Sequence, residues 1–263
     1  MNKITRQQLH SLQVSPRIYR WFLRRFPQGG DYQAVHHALM CDGYIEWLES
    51  LVEYSYALSF DTPAFIAQEM QTTQTMVTQL TTGGNGIVQV NARCPVAKPA
   101  ANPYGVQFAT GDAALDIGCI GPHSQIALSG ANNFMGNSGD GAGIASVGYA
   151  GQLVNAGFAV RISNSGSRCR IGNLGGRARI SNSGNAAKIS SGDDVSINMT
   201  GENAVLLSSG KVNTLILGKG GCAALSYHDG VRTRFLVVYE GENGIMAGVK
   251  YRINSAFALE ADE

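Results

Sequence analysis

Charge is scarce in this chain, and so are long apolar runs. Only 15% of its 263 residues are charged, and the formal balance is +1. That excludes a wholesale acidic mimic of DNA and a strongly basic coating protein. No apolar run reaches the ~18 residues needed to cross a bilayer, and Met1–Gln8 has no apolar signal core. The reading is a soluble, cytoplasmic protein without a membrane partner. The five cysteines (Cys41, Cys94, Cys119, Cys169, Cys222) are odd in number and never stand as C-x-x-C, which fits a reducing compartment better than a disulfide framework. No P-loop occurs. Gly83-Gly84-Asn85-Gly86 precedes a strand-like run rather than a helix, so it is not expected to cradle phosphate.

What is abundant is glycine, with 33 residues and no collagen triplet. Glycines stand at 121, 130, 139, 148, 157, 166, 175 and 184, always nine apart, then after one dropped residue at 192, 201 and 210. Five residues after each comes a large apolar side chain: Ile126, Met135, Ile144, Leu153, Ile162, Ile171, Ile180, Ile189, Ile197, Leu206, Leu215. Three after each, the residue is mostly small or apolar, as at Ala142, Val160, Cys169 and Ala187. Positions three and five therefore point inward from a very short strand and position four outward. A Ser or Asn just before the next glycine, as in Asn164-Ser165-Gly166, is expected to make the turn with it, because Asn and Gly accept positive φ cheaply.

One such unit encloses nothing. Two facing units make an eighteen-residue coil, so the fold class expected is mainly β: a narrow parallel β-solenoid of nine-residue units, five or six coils long. Its open ends need caps. Residues 1–80 read as a helical domain and a natural cap. Thr5-x-x-Gln8 is a capping box, Ser15-Pro16 and Thr62-Pro63 start helices, and Asp31 caps another. The last helix is expected to run toward Met70. Residues 81–120 read as lead-in strands around Ile87–Val90 and Val106–Phe108, residues 121–227 as the solenoid, and residues 228–263 as a β-hairpin cap. In that cap Val231, Thr233 and Phe235 alternate toward a turn at Glu240–Gly244, followed by Val249, Tyr251 and Ile253.

The repeat offers little chemistry. Calcium-binding nonapeptide rolls need an aspartate two residues before the inward apolar residue, and that position holds Cys169, Ala178, Ala187 or Val195. His36-His37 lacks companions at ligand spacing and reads as helix surface, while His123 and His228 read as loop residues. No catalytic residue, metal site or cofactor is assigned. One constellation remains. Arg161, Arg170, Arg179 and Lys188 hold the outward fourth position of four consecutive units, and Arg168 and Arg177 the second. No acidic residue falls between Gly141 and Gly192. The ladder could meet phosphates or an acidic protein surface, or simply keep the rod soluble. Stacked asparagines at 155 and 173, and at 164 and 182, read as structural amide ladders.

Units such as Gly175-Gly-Arg-Ala-Arg-Ile-Ser-Asn-Ser resemble the G-N-G-A-R-I-A-S-S repeats of phage and prophage accessory proteins. So do the segments Tyr227-His-Asp-Gly-Val-Arg-Thr-Arg-Phe and Gly241-Glu-Asn-Gly. The resemblance implies an accessory gene of a bacterial mobile element and carries over no site residues. The function expected is a non-enzymatic scaffold that occludes a bacterial host protein or complex, such as CRISPR or restriction machinery. Nucleic-acid binding through the arginine ladder, or an enzyme with its site in the cap regions, is the alternative. Self-association is left open.

Overall fold

The computed structural model describes residues 3–11, 14–82, 88–92 and 105–262. The helices are α1 (Arg6–Ser11), α2 (Pro16–Arg25), α3 (Tyr32–Cys41), α4 (Ile45–Ser59) and α5 (Pro63–Thr81). The strands begin with β1 (Val88–Ala92), β2 (Gln107–Thr110), β3 (Leu115–Cys119), β4 (Gln125–Leu128), β5 (Phe134–Asn137) and β6 (Gly143–Ser146). They continue with β7 (Gln152–Asn155), β8 (Arg161–Asn164), β9 (Arg170–Asn173), β10 (Arg179–Asn182), β11 (Lys188–Ser191) and β12 (Val195–Met199). Then come β13 (Val205–Ser208), β14 (Val212–Leu217), β15 (Cys222–His228), β16 (Thr233–Tyr239), β17 (Lys250–Ile253) and β18 (Leu259–Ala261).

Successive strands alternate between two sheets, as a coil of two nine-residue units requires. Odd strands from β3 to β15 form one parallel sheet and even strands from β2 to β14 the other. There are therefore about seven coils, more than the glycine period alone suggests, because β2, β3 and β15 carry the geometry beyond it. At ~4.8 Å per coil the rod is about 30 Å long. The register is the one the repeat demands: Ile162 lies beside Ile180, and Ile171 beside Ile189. Isoleucines 126, 144, 162, 180 and 197 meet Met135, Leu153, Ile171, Ile189 and Leu206 in one continuous core. Each such side chain contributes roughly 1.5–3 kcal/mol by leaving water. The dropped residue is absorbed in a corner. Gly192 N–H donates to the Asn173 carbonyl as Leu174 N–H does to Asn155. Ile180 still meets Ile197 and Ile189 still meets Leu206, and the register shifts between Val195 and Ser196 where β12 pairs with β14.

The repeating glycines do a different job from the one expected of them. Positive φ falls two residues after most of them, as on Ala150, Ala159, Arg168, Arg177 and Ala186, with φ between 53° and 56°. The glycine itself is needed because the corners stack backbone on backbone. A Cβ on Gly148, Gly166 or Gly184 would strike the carbonyl oxygen of the glycine one coil earlier, at well under 3.0 Å. The asparagines form the amide ladders the spacing predicts. Asn137 Nδ2 donates to Asn155 Oδ1 at 2.6 Å, Asn155 to Asn173 at 2.7 Å, and Asn164 to Asn182 at 2.7 Å. Each amide also donates to the carbonyl of the glycine two residues on.

The helices begin where the caps predict. Gln8 Oε1 accepts from Thr5 N–H at 2.8 Å, Asp31 Oδ1 from Ala34 N–H at 2.7 Å, and Thr62 Oγ1 from Phe65 N–H at 3.4 Å. Two expectations fail. First, α5 continues past Met70 to Thr81, since its Thr- and Gln-rich second half presents Thr73, Met76, Val77 and Leu80 to the rod. Second, the helices do not sit on an end of the solenoid. α5 runs along the outer face of the odd-strand sheet, over β3, β5, β7, β9 and β11. Gly118, Gly136 and Gly172 face it; a Cβ there would strike Leu80 or Thr73.

Antiparallel strands close both ends of the odd sheet and the C-terminal end of the even sheet, whose other edge among the described residues is β2. β1 pairs with β3 at one end. At the other, β16 closes the odd sheet by pairing with β15, and β17 closes the even sheet by pairing with β14 and β18. The expected hairpin across Glu240–Gly244 is therefore not made: its two strands belong to different sheets. The tight hairpin is β15–β16. Its turn is held by Asp229, whose Oδ1 accepts from Val231 and Arg232 N–H at 2.8 Å each, while its other oxygen pairs with Arg234. The expected strand residue Ile87 and the loop Gly83–Gly86 lie outside the described residues.

Candidate functional site

The six ladder residues do not form one patch. Arg161 and Arg179 stand side by side on the even-strand sheet and are exposed. Arg170 and Lys188 point outward from the odd-strand sheet, but the helices lie over them, and they are 1% and 6% exposed. Their counter-charges come from the helices, more than a hundred residues earlier in the sequence. Arg170 Nε pairs with Glu69 Oε1 at 2.6 Å, and Lys188 Nζ with Glu53 Oε2 at 3.2 Å. At the corners, Arg168 Nη1 pairs with Glu49 Oε1 at 2.9 Å. Arg177 lies over the Phe158 ring, 5.3 Å from its centroid, with Asp194 at 3.6 Å.

Around Arg170 the interface is a buried polar cluster. The guanidinium also donates to Thr73 Oγ1 at 3.0 Å and touches Met76 Sδ at 3.1 Å, and the Tyr56 hydroxyl donates to Glu69 Oε1 at 2.9 Å. Burial alone would lower the Arg170 pKa, but Glu69, Tyr32 and Tyr56 outweigh it and hold the cation more firmly. Burial and the Glu69 charge push both tyrosines well above their ordinary range. His36 is held well below its ordinary value, first by burial and then by the Arg170 charge. It was expected on a helix surface and is instead in this interface, whereas its neighbour His37 is exposed, 3.6 Å from Cys41 Sγ. His123 sits in a corner as expected, and His228 is the last residue of β15. Burial raises the thiols of Cys169 and Cys222 to about 11, so neither is a ready thiolate.

The even-strand sheet has an open outer face. Its strands alternate exposed and buried along their length, where β9 and β11 are buried at every position. The outward column beside Arg161 is made of Ala109, Ala127, Ala145, Ser163 and Ser181. Over β2–β8 the small side chains leave a shallow groove of about 500 Å³. Gly143 makes a notch in it between Gln125 and Arg161, since a Cβ there would strike the Gln125 amide. Among the described residues no group of three or more His, Cys, Asp or Glu side chains is placed to hold a metal, and no helix is long and apolar enough to cross a membrane.

Sequence reasoning missed the partners Glu49, Glu53 and Glu69. A signal for the covered face was present. On successive odd strands from β5 to β13 the outward positions read Phe134 and Gly136, Gln152 and Val154, Arg170 and Gly172, Lys188 and Ser190, Val205 and Leu207, with larger apolar side chains than the alanines and serines of the opposite column.

Residues 1–60 match the family model described as the YdhT N-terminal domain. The uncharacterized protein YdhT of Escherichia coli strain K12 is 40% identical over 279 residues, spanning 95% of this chain and 96% of that protein. No solved structure matches.

Proposed function

The chain belongs to the YdhT family, and from that premise we propose that it is a non-enzymatic binding scaffold whose partner-facing surface is the open sheet. The observation that supports this is the contrast between the two sheets. One carries large apolar and ion-paired side chains and is used up by the helices. The other presents alanine, serine and glycine with Arg161 and Arg179 alongside, a flat surface that a protein can approach closely. The two arginines suit a partner with acidic groups. The partner proposed is a bacterial host protein or complex, held by occlusion, in keeping with the resemblance to mobile-element accessory proteins.

The split ladder argues against nucleic acid as that partner. Six phosphate contacts would give a log–log salt slope of about −4 to −5, whereas Arg161 and Arg179 alone give about −1.4 to −1.8. The test is capture from bacterial lysate by the tagged chain, compared with Ala127→Arg and Ser163→Arg variants that crowd the open face. Loss of the same partner in both, with melting unchanged, supports the reading. Retention in both refutes it. Sub-micromolar binding to a labelled duplex or single strand at roughly physiological salt, abolished by Arg161→Glu with Arg179→Glu, would put nucleic acid in the partner's place.

A further inference from the structure

A second concavity lies at the C-terminal end of the rod, away from the groove over β2–β8. Regular coils turn a corner after each odd strand. The last one does not: β15 runs on into its hairpin with β16, while β17 lies antiparallel to β14 and ends beside it. Between the diverging sheets opens a cleft of about 810 Å³, within the range of small-molecule sites.

Its walls bring together what the open sheet lacks, cations beside an aromatic surface. The Tyr227 and Phe257 rings stack with centroids 4.6 Å apart and planes at 19°. Lys211, Arg252 and His228 line the same space. Lys211 has no side-chain partner among the described residues, and Arg252 Nη1 reaches only 3.7 Å from Asp262. His228 Nδ1 accepts from Gly230 N–H at 3.0 Å, which leaves Nε2–H free to donate into the cleft. One acid lines it, Asp193, and its Oδ1 is occupied by Lys211 N–H at 2.7 Å.

The backbone carries an independent sign. Phe257 adopts φ of 60°, a conformation that bulky residues adopt rarely and at a cost. The loop is built to hold it there. Asn254 Oδ1 accepts from Ala256 and Ala258 N–H at 3.0 and 3.1 Å, and the Asn254 carbonyl accepts from Phe257 N–H at 3.0 Å. Strain of this kind gathers where a side chain must be presented. The geometry points to a binding site for a small organic anion bearing a flat ring. The ring lies against Phe257, and the anionic group is held by Lys211, Arg252 and His228 Nε2–H. Nucleoside monophosphates and aryl carboxylates both meet that description.

Isothermal titration calorimetry on the full chain tests this with four probes: adenosine monophosphate, 4-hydroxybenzoate, inorganic phosphate and adenosine. At least one of the first two should bind at one per chain, and which one does identifies the source. Phosphate and adenosine, each lacking half of the recognition, should bind at least about tenfold more weakly. Arg252→Gln and Phe257→Ala should each weaken the ring-bearing anion by about tenfold or more. If Phe257→Ala lowers the melting temperature, Lys211→Gln, at an exposed side chain, carries the test instead. Arg161→Glu should leave this binding unchanged. Absence of binding by both ring-bearing anions at millimolar concentration, or binding untouched by Arg252→Gln and Lys211→Gln, overturns the proposal.

Discussion

Replacing Arg170 with alanine would leave Glu69 fully buried opposite a hole, with the Tyr56 hydroxyl still donating to it but no cation beside it. Removing one partner of a buried pair typically costs about 3–5 kcal/mol, because the other charge stays desolvated and uncompensated. The lost contacts to Thr73 and Met76 act in the same direction. The damage should fall on the attachment of the helices, since Ile171 and its neighbours still fill the coil. The two tryptophans, Trp21 and Trp47, both lie in the helical layer, so their fluorescence reports that layer during urea unfolding while far-UV circular dichroism follows the strands. For Arg170→Ala the fluorescence transition should shift to lower urea by the equivalent of several kcal/mol and separate from the strand transition. Arg170→Met combined with Glu69→Gln removes both charges but keeps an acceptor for Tyr56, and should recover most of the loss. A single substitution costing under about 1 kcal/mol, or a double one as damaging as the single, would refute the assignment of this pair as the clasp between the layers.

Three further outcomes follow from the same geometry. Gly166→Ala puts a methyl into the Gly148 carbonyl one coil below, whereas at Gly192 the nearest atom is 3.2 Å away. Thermal melting should show the first destabilised by about 1–3 kcal/mol or more and the second by clearly less; equal effects would mean the corners do not stack tightly. The His36 pKa is depressed in the folded chain, so below the unfolded value of about 6.5 the unfolded state holds one more proton. Stability should therefore fall as pH drops through that value, by up to about 1.4 kcal/mol per pH unit. Urea midpoints between about pH 5.5 and 7.5, with and without His36→Gln, check the sign. Ile171→Asp places a charge in a core one side chain wide and should cost several kcal/mol, abolishing cooperative melting; an unchanged melting curve would mean the residue does not face inward.

The coil itself was legible because its cause is local. The inward side chains, the small third position and the amide ladder repeat every nine residues, and each unit needs only its neighbour eighteen residues away to be understood. The glycine was found for the right period and the wrong reason. Its necessity comes from a carbonyl in the coil below, which no local turn rule contains, while the positive φ falls on Ala, Arg and Asn two residues later. The helix starts were also readable, since Thr5, Asp31 and Thr62 act through hydrogen bonds three residues long. Which face the helices cover left a trace in the outward residues of the odd strands, but which charges that cover neutralises was decided only by tertiary structure. In sequence Arg161, Arg170, Arg179 and Lys188 are equivalent outward cations. In space alternate units face opposite ways, so Glu69 and Glu53 neutralise two of them and leave the other two in water. The cleft beside Phe257 likewise exists only because β15 does not turn where every earlier odd strand does. Charge along a chain is a local property, but burial and pairing depend on what folds back over it, and here that cover comes from residues about a hundred positions away.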